Sequence, residues 1–217
     1  MIVIIQCAAK KNPSAGYLRD QNGRQVSFVA DPERAPLSRE FRYARPDDIA
    51  ETGATWRTEL LKYNETPSHN PFGLLPAWQL YMNPTYKLLA SKYGFEQLFI
   101  LSAGWGLISA KFLTPVYDIT FSGSADAYKR RRQKEICSDL CMLPDISEEP
   151  VVFFGGKDYV SLFCSLTVRH NGARHVFYNS QTPPEAPGCV LRKYTTTMRT
   201  NWHYKCAQAF VNSEIQI

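Results

Sequence analysis

The sequence of 217 residues predicts an α/β fold, a mostly parallel sheet with flanking helices. Three observations carry that prediction. Four short apolar runs are β-branched or aromatic without polar alternation, as strands covered on both faces must be. Helix start and stop signals lie between those runs. Hydrophobic residues make up 44% and charged residues 21% of the chain, enough apolar surface for a sizeable core.

The first run, Ile2 to Ile5, is the first strand; MIVIIQC is too short for a secretion signal. Residues 12–76 then hold seven of the 14 prolines, many charges and little periodic apolar pattern. A structureless loop of that length would be unusual in a compact domain. The stretch therefore reads as a long Pro-rich insertion over one sheet edge, with short helices around Pro46 to Tyr63. Asn83 caps a helix with Pro84 at its first position, running to about Tyr93 and stopped by Gly94. Leu98 to Leu101 is the second strand. Ser124 reads as the cap of a longer helix through Met142, in which Ile136, Cys137, Leu140 and Cys141 share a face. The third strand is Val151 to Phe154, followed by a helix from Lys157 to Val168 that Asn171-Gly172 ends. His175 to Tyr178 is the fourth strand, and Asn201 to Val211 the last helix. The whole reads as one domain, 1–217, with the insertion at 12–76.

No apolar run approaches the roughly 20 residues that span a bilayer, so no membrane partner is expected. None of the six cysteines forms a C-x-x-C pair, and buried inert thiols in a cytoplasmic protein are the expectation. Cys189, Cys206 and His203 lack the short ligand pair that would anchor a tetrahedral metal, so neither metal nor cofactor is expected. Net charge is +5, but its distribution says more than its size. KRRRQK, Lys129 to Lys134, places five cations in six positions, and Lys10 and Lys11 follow the first strand. Lys10, Lys11, Lys129, Arg130, Arg131, Arg132 and Lys134 are thus the candidate nucleic-acid-binding residues, with a solvated helix face as the alternative.

Ligands of open α/β sheets bind beyond the carboxyl ends of the strands. There the sequence offers Cys7 and Asn12 after the first strand, Ser102, Gly104, Trp105 and Gly106 after the second, and Gly155, Gly156 and Tyr159 after the third. Gly155-Gly156 is either a tight turn or a helix N-terminus open to phosphate. Cys7 is either a small core residue or a thiol activated by Lys10. Asp118 stands between apolar residues in TPVYDITF, where an uncompensated carboxylate would be costly. It is a turn residue after Pro115 or a crevice carboxylate, acting as general base or stabilising a cationic transition state. Asp118, Tyr117 and Cys7 are the catalytic candidates; Asn12, Tyr159 and the serine and glycine-rich residues above are the substrate-binding ones.

ILSAGWGLISAKFLTPVYD resembles the signature of the bacterial YaaA peroxide-stress proteins and of a related group of uncharacterised domains. Ser102, Ala103, Trp105, Gly106 and Leu107 match one motif, Pro115, Tyr117 and Asp118 a second, although Val116 splits Pro from Tyr. Cys7 and Lys10 match a Cys-Ser-x-x-Lys step at the chain start, with Ala8 in place of Ser. That step is also similar to one in the archaeosine synthase core. Gly156 and Tyr159 match a third motif. The resemblance covers about half the chain. It implies a Rossmann-like core and a function on DNA or nucleobases.

The leading functional expectation is a DNA glycosylase-type hydrolase, cleaving the N-glycosidic bond of a modified or damaged base in DNA repair or phage defence. Tyr81, Trp105, Tyr117, Tyr128 and Trp202 are the candidates for base stacking, Asp118 for the carboxylate and KRRRQK for the phosphates. Lys10 is expected to hold phosphate and to form no Schiff base. A non-catalytic DNA-binding stress protein and an enzyme on free nucleotides are the alternatives.

Overall fold

The chain runs β1 (Ile2–Gln6), β2 (Gln25–Phe28), β3 (Phe41–Ala44), α1 (Trp56–Tyr63), β4 (Leu75–Pro76), α2 (Ala77–Leu80), α3 (Pro84–Tyr93) and β5 (Leu98–Ser102). It continues through β6 (Gly106–Ser109), β7 (Leu113–Thr114), β8 (Leu140–Cys141), β9 (Val151–Phe154), α4 (Lys157–Leu166), β10 (Arg174–Tyr178), β11 (Val190–Lys193) and α5 (Trp202–Val211). This is a computed structural model, and it describes residues 1–133, 135–144 and 147–217. Seven strands form the central sheet in the order β11-β10-β9-β1-β5-β6-β8. All neighbours pair in parallel except β5 and β6, which form an antiparallel hairpin. A mostly parallel sheet with helices beside it is the expected α/β class, and is compatible with a Rossmann-like arrangement.

The four predicted strands are its centre because their side chains need cover on both faces. Phe153 stacks on Phe163 of α4 at 4.7 Å, whereas Phe154 stacks on Phe177 at 5.3 Å and meets Phe210 of α5 at 5.4 Å. Neighbouring strand residues point to opposite faces, so α4 and α5 lie on opposite sides of the sheet. Helix α3 packs beside α5 over β1 and β5. Asn83 caps α3 through its side chain, which accepts from Thr85 N–H, and Gly94 ends it at φ 83°. Among the described residues no helix is long and apolar enough to cross a membrane.

Residues 12–76 lie outside the central sheet: β2 and β3 pair with each other, and β4 pairs with β7. The helix in this stretch is shorter than Pro46 to Tyr63. It begins at Trp56, where the Thr55 side chain accepts from Thr58 N–H.

The long helix from Ser124 to Met142 does not form. Among the described residues of this stretch are a 3-10 turn at Ala127–Lys129 and the short strand β8. Cations three and four apart repel along a helix, whereas β8 gains pairing with β6 through Gly106–Leu140 and Leu107–Cys141. Cys137 and Cys141 therefore do not share a helical face.

Candidate functional site

β1 sits where the connections diverge, to β5 on one side and β9 on the other, so the crevice beyond it is the expected ligand position. Over this end of the sheet, residues from the 12–76 stretch close a cleft of about 350 Å³. Tyr17, Phe41, Tyr43 and Tyr128 supply its rings, and Lys11, Tyr117 and Asp118 its polar side. Phe41 and Tyr43 alternate along β3 and so share a face. The segment carrying Asp118 is fixed by backbone pairing, with Tyr117 bridged to Phe28 and Asp118 N–H donating to the Phe28 carbonyl at 2.8 Å.

The Asp118 side chain is 48% exposed, so solvent removes the burial cost its apolar neighbours suggested. Lys129 Nζ reaches its Oδ2 at 2.9 Å and that of Asp126 at 3.1 Å. Hydrogen bonds to Asp118 and then Asp126 hold the Lys129 pKa well above its usual value. Lys11 Nζ lies 4.4 Å above the centre of the Tyr117 ring. Burial pushes the Lys11 pKa down, partly opposed by charge on Cys7 and Asp118.

Beneath the cleft is a buried hydroxyl network. Ser102 Oγ donates to the Tyr117 hydroxyl at 2.8 Å and accepts from Gly104 N–H at 3.2 Å and Trp105 N–H at 3.0 Å. The Tyr117 and Tyr81 hydroxyls lie 2.9 Å apart, and the Cys7 thiol lies 3.3 Å from the Tyr159 hydroxyl. Burial raises the pKa of Tyr81, Tyr117 and Tyr159 well above the ordinary phenol value, so these groups stay neutral. The motifs that carried the sequence resemblance thus meet in pairs, Ser102 with Tyr117 and Cys7 with Tyr159.

The glycines serve close approach. A Cβ on Gly104 would stand 3.0 Å from the Tyr117 ring, and one on Gly155 would stand 2.2 Å from the Phe153 ring. Gly106 needs φ 89°, and a Cβ there would meet the Leu140 carbonyl oxygen at 2.4 Å. Gly156 N–H, the first donor offered by α4, is taken by Gln6 Oε1 at 2.6 Å. Trp105 is fully buried, edge-on to Phe28 at 4.9 Å, with Arg57 donating to its carbonyl at 3.1 Å. It supports Tyr117 from below and lines no wall of the cleft. Tyr81 and Trp202 are also buried. Asn12 lines a different groove, with Trp78 and Met82.

The basic run splits by role. Arg131 is buried, pairing with both carboxylate oxygens of Asp139 at 2.8 and 2.5 Å and donating to the Ala103 carbonyl at 2.8 Å. Arg130 and Arg132 are exposed and, with Arg34 and Arg45, line a groove of about 790 Å³ that also holds Asp31 and Glu135. Lys10 is exposed, and Lys134 lies outside the described residues.

Sequence reasoning missed Tyr17, Phe41, Tyr43, Arg34 and Arg45. The alternation FRYA was the available signal for the two β3 rings; the two arginines carried none. Comparison with protein-family models, with curated proteins and with solved structures returns no match.

Proposed function

We propose that this chain is a base-acting enzyme that cleaves the N-glycosidic bond of a modified or damaged base in DNA. The observation that carries the reading is the aromatic cleft of about 350 Å³ with the Asp118 carboxylate in its wall. A base extruded from a duplex needs rings to stack on, a carboxylate near its sugar and cations for the flanking phosphates. Tyr17, Phe41, Tyr43 and Tyr128 offer the first, Asp118 the second, and the neighbouring groove with Arg34, Arg45, Arg130 and Arg132 the third.

In this reading the base lies among the rings as positive charge develops on the sugar. Asp118 stabilises that charge directly or through an oriented water, and Lys129 fixes the carboxylate from behind. The core is Rossmann-like, residues 12–76 are an insertion that builds the ligand-facing wall, and the chain is YaaA-like. Supporting this are the paired contacts Ser102–Tyr117 and Cys7–Tyr159 between motifs far apart in sequence.

The test incubates the protein with oligonucleotides carrying different modified bases and measures released base and abasic sites. Asp118→Asn keeps size and hydrogen bonding but removes the charge. It is expected to lower the rate about 10²-fold while DNA affinity changes little. Full activity in Asp118→Asn would remove the carboxylate from the mechanism. DNA binding without base release from any oligonucleotide would leave the non-catalytic DNA-binding reading.

A further inference from the structure

Lys11 lines the cleft, and the hydrolytic reading gives it no part. Its ammonium shares the cleft with Asp118, yet the carboxylate is engaged by Lys129 at 2.9 Å. Among the described residues, Lys11 Nζ makes no hydrogen bond or ion pair; its contact is the face of Tyr117 at 4.4 Å. The ring face offers a cation only modest attraction, and this partly buried ammonium faces the cleft with no protein oxygen to hold it. Groups that remain in such positions are the ones a site uses.

Resting on the glycosidic reading of the same cleft, we propose that Lys11 is its nucleophilic amine, attacking C1′ of the sugar and releasing the base through a Schiff-base intermediate. Burial favours the free amine over the ammonium, opposed in part by charge on Cys7 and Asp118 and aided by the Lys129 charge. The Nζ–C1′ bond forms as the C1′–N bond breaks. The bonding pair leaves with the base, which takes the proton shed by Nζ. The C1′–O4′ bond then opens with its pair on O4′, the remaining Nζ proton moves to O4′, and a C1′=Nζ imine results. Water adds to the imine, restoring the amine and leaving an open-chain aldehyde at an abasic site. Asp118 keeps its part, stabilising the positive charge at C1′ during attack. Lys10, exposed and outside the cleft, takes no part in the covalent step.

An oligonucleotide with a preformed abasic site tests the amine without knowledge of the base. Borohydride delivers hydride to a C=N bond and leaves a stable secondary amine. The expected result is a one-to-one protein–DNA adduct whose digest maps to Lys11. Lys11→Arg keeps a cation over Tyr117 but cannot form the imine, and should lose the adduct at least about tenfold. Absence of an adduct, or an equal yield from Lys11→Arg, overturns the proposal. Two further outcomes separate it from the reading on which it rests. Base release without any adduct removes the amine but leaves glycosidic cleavage. An adduct at Lys11 with no base released from any modified oligonucleotide keeps the amine and removes the glycosidic reading.

Discussion

Arg131 and Asp139 illustrate how a residue's type can mislead about its task. In the sequence Arg131 is the middle of a basic run, yet its side chain is 6% exposed and that of Asp139 7%. Two charges leave water here because Arg131 makes two hydrogen bonds to the Asp139 carboxylate and a third to the Ala103 carbonyl. Ala103 begins the turn below the cleft, so this pair also ties Arg131 and Asp139 to the site. Arg131→Ala would strand the Asp139 charge, and is expected to cost about 3–5 kcal/mol in denaturant unfolding. Arg131→Met with Asp139→Leu should recover much of that loss, since both charges go together. A loss in Arg131→Ala no larger than that of an ordinary surface variant would show that the pair holds nothing.

Helix α5 carries a pH dependence at the scale of an element. Trp202, His203, Tyr204, Cys206, Ala207, Ala209 and Phe210 are all buried, so this helix is held by packing more than by its own propensity. His203 is 3% exposed, and burial pushes its pKa down to about 4. An unfolded histidine protonates near its ordinary value of about 6.5. Between those two values the unfolded chain takes up a proton that the folded chain refuses. Stability contributed by neutral His203 is therefore complete above about pH 6.5 and falls as the pH drops toward 4, by about 3 kcal/mol. Unfolding of the native chain and of His203→Phe, compared across that window, isolates this share. Parallel stability curves for the two would mean that burial does not lower the His203 pKa in the folded chain. The Ser124 to Met142 stretch is the counter-example at this scale. Its apolar spacing suits a helix, but pairing of β8 with β6 and the Arg131–Asp139 contact outweigh local preference.

Across the whole molecule, two clefts lie side by side. Val29 and Tyr128 line the aromatic one, and the adjoining Ala30 and Ala127 line the arginine groove. On the proposed reading a base occupies the first and its flanking phosphates lie along the second. Asp31 offsets part of the charge, lying 3.4 Å from Arg34 and 4.0 Å from Arg45, and Glu135 faces the same groove. Replacing Arg34, Arg45, Arg130 and Arg132 with Ala should weaken DNA binding at low salt and flatten its salt dependence, by about one unit of slope for each phosphate no longer neutralised. An unchanged slope, measured by titration over a range of salt concentrations, would assign this groove to solvent.

Local pattern alone determined the strands β1, β5, β9 and β10, the caps of α3, the start of α4 and the extent of α5, whereas α4 ends at Leu166, short of the expected Val168. Apolar runs, Asn-Pro starts and glycine stops act over a few residues and need no distant partner. It also singled out Asp118, Tyr117 and Ser102, because a carboxylate and small polar residues beside a core strand are uncommon locally. Only the tertiary structure decided what surrounds them. The rings of Tyr17, Phe41 and Tyr43 reach Asp118 from a stretch with little periodicity, carried there by the β2–β3 pairing and the Phe28–Tyr117 bridge. Lys10 and Lys11 are indistinguishable by type, and separate only because β1 ends where one side chain meets solvent and the other the Tyr117 face. The basic run divides for the same reason. Which of its charges is buried depends on a carboxylate and a carbonyl that folding brings near, and pairwise Coulomb energy in a low-dielectric site outweighs what any helix period could specify.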